Sequence, residues 1–163
     1  MHILINNKFL NFNNYKAKCV VGKRGIGYKK KEGDLITPKG EYKIKYILYR
    51  KDRIKKIQSK IKKAGIKKNM GWCDDPSNLK NYNKLIKMNK KIKCEKLYRN
   101  DRKYDLLIPI KYNFLKPIEF KGSCIFIHLT NNYKPTLGCI AMKKKDFLIM
   151  LKLINKKTII KIN

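Results

Sequence analysis

Residues 122–142 have the sequence GSCIFIHLTNNYKPTLGCIAM, in which two apolar runs flank a polar loop. The first run, residues 122–129, predicts a β-strand because apolar residues recur between turn residues. Successive side chains of a strand point to opposite faces, so Cys124, Phe126 and His128 are expected on one face. The strand would then present a histidine to whatever packs beside it.

A turn and a cysteine follow this strand. Gly138 permits a tight turn, and Cys139 comes directly after it, before an apolar pair. A strand, a loop and a return bring Cys139 beside His128, where an imidazole would take the thiol proton and generate a nucleophile. The only other histidine, His2, lies near the terminus. The alternative is a core histidine and a buried structural cysteine, both of which are common.

The flanking sequence is typical of β structure, with short apolar segments bounded by turn residues. Strands are predicted near residues 2–5, 8–12, 16–21, 42–49, 104–112, 122–129 and 157–162. A helix is predicted over residues 143–155, where four apolar residues have helical spacing: Phe147, Leu148, Leu151 and Ile154. Residues 53–68 fit either a helix or an extended segment. We therefore expect a mostly β (α+β) fold that forms one domain over residues 1–163.

The composition is strongly basic. The 163 residues include 42 Lys+Arg and 11 Asp+Glu, for a formal net charge of +31, and no apolar run approaches the length of a membrane span. Only five basic residues are arginines. Because arginine is the preferred reader of phosphates and bases, we expect a solvated lysine surface and not a nucleic-acid site. A basic module that binds an anionic polymer remains the alternative function. The positive charge is also expected to lower the pKa of the Cys139 thiol.

Cysteine spacing and the N-terminal sequence limit the metal sites, cofactors and secretion signals that can be expected. The five cysteines contain no C-x-x-C pair, so neither a structural zinc site nor any other metal or cofactor is expected. The N-terminal segment has no basic region followed by a small-residue cleavage site, so no secretion signal is visible.

Four motifs, in order along residues 16–150, resemble those of the L,D-transpeptidase (YkuD-type) catalytic domain. The motif nearest the C-terminus is TLGCI, residues 136–140, which follows a strand that ends in His128. The others are EGDLITPKG at 32–40, GWCDDP at 71–76 and YDL from Tyr104. The resemblance implies an L,D-transpeptidase-like β-sandwich, with the predicted C-terminal helix packed on it.

The resemblance also implies catalytic roles. Cys139 would attack the amide between an L-centre and a D-residue of a peptidoglycan stem peptide and form a thioester. His128 would act as general base and then general acid, and the backbone carbonyl of Leu129 would orient its imidazole. The N–H groups of Gly138 and Cys139 would stabilise the oxyanion.

The second half of the reaction is left open. Transfer to an amine of another stem would cross-link the cell wall, transfer to water would make the chain an L,D-carboxypeptidase, and a protein lysine is a further acceptor. The family implies a place in the cell envelope, or periplasm, whereas the absence of a visible signal leaves the cytoplasm as the alternative. We expect a monomer.

Two positions depart from the commonest form of the family motif. Leu137 stands where a second histidine is usual, and Ala141 stands where an arginine that helps to hold the substrate or the catalytic loop is usual. Recognition of a substrate carboxylate would then fall to other cationic groups. The candidates are the arginines Arg50, Arg53, Arg99 and Arg102. Their alternative role is pairing with Asp52 and Asp101 within their own turns.

Thr136 and Trp72 are further candidate substrate contacts. The alternative for Trp72, the only tryptophan, is a place in the core or the groove wall. Asp74 and Asp75 are candidates for contact with the ammonium group of an acceptor stem. Because aspartate before proline is also ordinary turn chemistry, a turn is the alternative for this pair.

Overall fold

The computed structural model describes all residues from Met1 to Asn163. It contains fifteen strands and one helix, which follow one another as β1 (His2–Ile5), β2 (Phe9–Phe12), β3 (Tyr15–Val20), β4 (Ile26–Gly27), β5 (Thr37–Pro38), β6 (Gly40–Lys43), β7 (Ile47–Tyr49), β8 (Lys63–Gly65), β9 (Met70–Cys73), β10 (Leu85–Lys87), β11 (Cys94–Lys96), β12 (Leu106–Pro109), β13 (Phe126–Leu129), β14 (Ile140–Met142), α1 (Lys144–Leu153) and β15 (Ile159–Ile162). The prediction of a mostly β fold with one C-terminal helix is confirmed.

Ten strands form one mixed sheet in the order β6-β15-β1-β2-β3-β14-β13-β12-β7-β8. Three neighbouring pairs are parallel, namely β1 with β15, β13 with β14, and β7 with β8, and the remaining pairs are antiparallel. The sheet is curled. The end of β6, the first strand in this order, contacts the end of β12 in the same sheet. Ile44 forms a β-bridge with Ile110, and the Lys111 N–H donates to the Lys43 carbonyl at 3.1 Å.

The largest apolar cluster joins the sheet to the helix. In β1 the alternation buries Ile3 and Ile5 and exposes their neighbours. The helix contributes its buried stripe, Phe147, Met150 and Leu151, to the same cluster. Helix and sheet therefore bury their apolar faces against each other.

A second layer covers the opposite face of the central strands. The three-stranded sheet β10-β9-β11 supplies Trp72, and the segment after it supplies Leu97. Both pack in one cluster with Leu48, Leu107 and Phe126 from β7, β12 and β13. β13 is therefore buried on both faces, and the face that carries Phe126 and His128 packs against this second layer.

The structure differs from the predicted elements in places with identifiable causes. The strand predicted over 122–129 begins only at Phe126, because Gly122 and Cys124 have positive φ angles of 109° and 54°. Cys124 therefore precedes the strand and does not share its alternation. The segment predicted as one strand over 42–49 is divided between β6 and β7.

Residues 53–68 resolve in favour of the extended alternative. No helix forms there, and the segment ends in β8, which pairs with β7. Six further strands were not predicted: β4, β5, β9, β10, β11 and β14. With ten residues, the helix α1 is too short to cross a membrane.

Removal of the Phe147 ring should destabilise the fold. Phe147 is completely buried between helix and sheet, so Phe147→Ala should lower the free energy of unfolding by about 3–5 kcal/mol. Leu153→Ala, on the exposed side of the same helix, should change it by less than about 0.5 kcal/mol. Urea denaturation followed by circular dichroism measures both changes, and equal losses would contradict this packing.

Candidate active site

Parallel pairing of β13 with β14 brings the two candidate catalytic residues together. His128 pairs with Ala141, and Ile127 pairs with Ile140. One step earlier in this register Phe126 lies beside Cys139, and its N–H donates to the Cys139 Sγ at 3.4 Å. Paired residues of neighbouring strands point to the same face, so Cys139 and His128 lie on one face of the strand pair.

The imidazole of His128 is held in one orientation. Its Nδ1 lies 2.9 Å from the carbonyl oxygen of Leu129. Because a carbonyl only accepts, Nδ1 carries the proton, and Nε2 is left with a free lone pair. The ring of Tyr104 packs edge-on against the imidazole at 5.3 Å. Burial lowers the pKa of His128 to about 4, so the imidazole is neutral at physiological pH.

The thiol of Cys139 is also neutral. Its Sγ donates to the carbonyl of Cys124 at 3.1 Å. Burial, followed by the charge of Glu95, raises the pKa of Cys139 to about 12. The charge of Lys29 lowers this pKa, as expected of positive charge, but burial outweighs it and the net shift is upward. The lysines are mostly solvated, and their field is screened, whereas desolvation acts directly on the sulfur.

The turn before Cys139 is fixed by hydrogen bonds. The Gly138 N–H donates to the Thr136 Oγ1 at 3.1 Å, and the Thr136 hydroxyl donates to the carbonyl of Cys139 at 2.5 Å. The Gly138 N–H, a predicted oxyanion donor, is thus engaged within the turn. The Cys139 N–H has no acceptor in the chain. Gly138 has a φ of 144°, which favours glycine.

Both reactive side chains line a cavity of about 610 Å³. Three carboxylate side chains contribute to its wall: Glu32, Asp74 and Glu95. Cationic side chains lie in the same lining: Lys29, Arg99, Lys103 and Lys134. The cavity therefore offers groups of both charges to one ligand.

Two of the three carboxylates that line the cavity accept hydrogen bonds from neighbouring side chains, and one oxygen atom of the third has no hydrogen-bond partner. Glu32 accepts from Ser123 Oγ at 2.8 Å, and Glu95 accepts from the hydroxyl of Tyr104. Burial raises the pKa of Glu95. The buried Oδ1 of Asp74 has no hydrogen-bond partner. Sequence reasoning did not identify Glu95, because it lies in a lysine-rich segment without a motif.

Two of the four candidate arginines are committed to neighbouring carboxylates away from the cavity. Arg50 is buried and pairs with Asp52 at 2.5 Å, and Arg53 pairs with Asp105 at 2.8 Å. Neither lines the cavity. For Arg50 the structure shows the pairing within the turn that the sequence left open.

The other two arginines lie differently. Arg99 lines the cavity, although its guanidinium pairs with Asp101 at 2.5 Å, and it lies 3.6 Å from Glu95. Arg102 is exposed and lies outside the cavity lining. Arg99 is thus the one candidate arginine that the fold brings to the Cys139–His128 pair.

Thr136 lines the cavity, whereas Trp72 does not. The Trp72 side chain is 2% exposed, its Nε1 donates to Asn83 Oδ1 at 2.9 Å, and its ring packs edge-on against Phe126. Trp72 thus occupies the core position that was its alternative. Asp75 accepts from the N–H and hydroxyl of Ser77 in a turn.

The two positions that depart from the usual motif lie on different sides of the nucleophile. Leu137 is 68% exposed at the edge of the cavity, and Ala141 is buried opposite His128 in the strand pair. Neither side chain has a group that exchanges a proton or carries a charge. Neither position can therefore take over a proton transfer from His128.

The structure is thus a mostly β fold in which a cysteine and a histidine line one cavity. The family model of the L,D-transpeptidase catalytic domain, YkuD, matches residues 3–162. The chain belongs to this family, and the resemblance found in its motifs is confirmed. Members of the family are enzymes that act on peptidoglycan peptides. No curated protein matches the chain significantly.

The buried neutral imidazole should make the fold sensitive to acid. In the unfolded chain His128 has the ordinary histidine pKa of about 6.5 and is protonated below that pH. In the folded chain the pKa of His128 is about 4, so the imidazole accepts a proton only near pH 4. Stability due to His128 is therefore present above about pH 6.5 and is lost as the pH falls towards 4, by up to about 3 kcal/mol.

Urea denaturation at two pH values isolates this contribution. Between about pH 7.5 and about pH 4.5, the free energy of unfolding of the wild type should fall by about 2 kcal/mol more than that of His128→Gln. The carboxylates titrate in both proteins and cancel in this difference. Identical losses in the two proteins would show that His128 is not kept neutral by the fold.

Proposed function

We propose that this chain is a cysteine acyltransferase of the L,D-transpeptidase type that acts on peptidoglycan stem peptides. The observation that supports it most directly is the pair formed by Cys139 and His128. Both lie on one face of adjacent strands and line one cavity, and the Nε2 of His128 has a free lone pair. A nucleophile and a general base with these properties are what acyl transfer requires.

In the first step the Cys139 sulfur attacks the carbonyl carbon of the amide between an L-centre and a D-residue. In the resting site the thiol proton is donated to the Cys124 carbonyl; as the carbon–sulfur bond forms, the S–H group turns and the proton passes to Nε2 of His128. The tetrahedral intermediate then collapses, the carbon–nitrogen bond breaks, and the leaving amine takes the proton from His128. The thioester on Cys139 remains.

The second step reverses these roles. An acceptor amine attacks the thioester carbonyl and loses its proton to His128, and the proton then passes to the departing sulfur. Because the resting pair is neutral, proton transfer accompanies nucleophilic attack in both steps. The Nδ1 contact with Leu129 keeps Nε2 free to accept the proton each time.

We assign the oxyanion contact to the Cys139 N–H. It is the member of the predicted pair without an acceptor in the chain, whereas the Gly138 N–H is bound to Thr136. A single well-placed donor at this position is typically worth a factor of about 10²–10³ in rate.

The charges around the cavity fit a substrate that is both anionic and cationic. Asp74, with a free carboxylate oxygen, faces the same space as Lys103 and Lys134. Stem peptides carry carboxylates and, in the acceptor strand, an amine. We therefore propose transfer to an amine, with hydrolysis by water as the alternative outcome of the same chemistry, and we place the activity in the cell envelope, where the substrate lies.

Replacement of Cys139 tests this function. Wild-type protein incubated with purified muropeptides should form cross-linked dimers, and incubation with the carbapenem imipenem should add one acyl group to Cys139. Cys139→Ala should abolish both products, because Cys139 is the proposed nucleophile and the thiol that lies on the same face of the β13–β14 pair as His128. Mass spectrometry of the muropeptides and of the intact protein measures both.

The matched control is Cys19→Ala, which removes a buried thiol outside the cavity. It should leave both products unchanged. Shortened stems without dimers would identify a carboxypeptidase. Turnover retained in Cys139→Ala would reject the mechanism. A wild type that gave neither product but bound anionic glycan, with binding lost between about 0.05 M and about 0.2 M salt, would instead identify a basic binding module.

A further inference from the structure

Thr37 lies in the EGDLITPKG motif, whose role the catalytic pair does not explain. Its side chain is completely buried (0% exposed), and it is separated by 101 positions from Gly138, whose carbonyl oxygen accepts from its hydroxyl at 2.8 Å. The same hydroxyl accepts from the Gly22 N–H, also at 2.8 Å. A buried polar side chain thus joins β5 to the turn that carries the nucleophile.

The direction of these hydrogen bonds is determined by their partners. The Gly22 N–H only donates, so Thr37 Oγ1 accepts from it. The Gly138 carbonyl only accepts, so the Thr37 hydroxyl proton points at it. Gly22 allows this approach because it has no side chain: a Cβ there would lie 2.2 Å from the carbonyl oxygen of Leu35. Both bonds of the hydroxyl are therefore fixed.

The contact with the Gly138 carbonyl sets the direction of a second group. The carbonyl of Gly138 and the N–H of Cys139 belong to the same peptide unit, which is planar and trans. In a trans peptide the N–H points opposite to the C=O. Because Thr37 holds the carbonyl, the Cys139 N–H points away from Thr37, and it has no acceptor within the chain.

This peptide unit needs such a restraint. Gly138 has a φ of 144° and no Cβ, so its own conformational preferences do little to prevent rotation of the peptide plane. Rotation would turn the carbonyl oxygen to the side where the N–H now lies and would leave the buried Thr37 hydroxyl without an acceptor. An unsatisfied buried hydroxyl is costly, so the hydrogen bond opposes rotation.

We propose that Thr37 is a positioning residue that presets the oxyanion donor: by binding the Gly138 carbonyl it aims the Cys139 N–H at the site where negative charge develops. This inference rests on the proposed acyl-transfer function. It predicts that loss of the Thr37 hydroxyl slows reactions that pass through a tetrahedral oxyanion and spares reactions of the same sulfur that do not.

Two reagents separate these reactions on Cys139. Imipenem acylates the sulfur through a tetrahedral oxyanion, whereas iodoacetamide alkylates it by direct displacement of iodide. In Thr37→Val the ratio of the acylation rate to the alkylation rate should fall by about 10²-fold, the effect of losing one oxyanion donor. Peptide mass spectrometry at Cys139 follows both rates.

Three further variants make the result specific. Thr37→Ser keeps the hydroxyl and should keep the ratio within about threefold, whereas Thr37→Cys, a weak donor, should give an intermediate ratio even if Thr37→Val fails to fold. Thr158→Val removes another completely buried hydroxyl, which accepts from the Asn155 N–H at 2.9 Å outside the cavity. It should lower the melting temperature and leave the ratio unchanged.

The outcomes distinguish a positioning role of Thr37 from a purely structural role, and they separate both from failure of the proposed function. If Thr37→Val and Thr37→Cys lower both rates equally, or leave the ratio at the wild-type value, Thr37 is only a structural residue and the inference is wrong. If imipenem does not acylate wild-type Cys139 while iodoacetamide alkylates it, the proposed function fails first. A lowered ratio in both variants, restored by serine, supports the assignment.

Discussion

The parallel register between β13 and β14 is the constraint on which the site depends. It places His128 opposite Ala141 and Cys139 beside Phe126. Phe126 and His128 are two residues apart along β13 and point to the same face, so Cys139 and His128 lie on that face together. Neither residue is positioned by a flexible loop alone. A shift of one residue in this register would turn one of the two side chains to the other face and separate the pair.

Burial gives this pair its chemical character. The second layer, with Trp72 and Leu97, covers the face of β13 that carries His128, and desolvation then keeps both the imidazole and the thiol neutral. A resting thiolate–imidazolium pair would need stronger compensation than the contacts at Sγ supply. The site therefore suits general-base catalysis, in which charge develops only while the substrate is bound.

Sequence alone predicted the features that have a simple period. Short apolar segments between turn residues located β1, β2 and β3, and the stripe with Phe147 located the helix. The small sheet around Trp72 was missed because β9 is buried without alternation and its neighbours are short. Its position depends on contacts between distant segments, which a local pattern does not record.

The candidate site was predictable to a similar degree. Spacing and motif identified Cys139 and His128, yet composition gave the wrong direction for the thiol pKa, because it counts charges without their solvation. The carboxylate of Glu95 enters the cavity from a segment without any motif. The pairing of Arg53 with Asp105 joins a turn to the residue that precedes β12, and no local signal indicates it.

The order of strands in the long sheet has a consequence for folding. β15 lies between β1 and β6, and these two strands do not pair with each other directly. β1 therefore gains its parallel neighbour, and β6 its antiparallel neighbour, only when residues 159–162 join the sheet. Assembly of this end of the sheet therefore depends on contacts of long sequence separation, which form slowly.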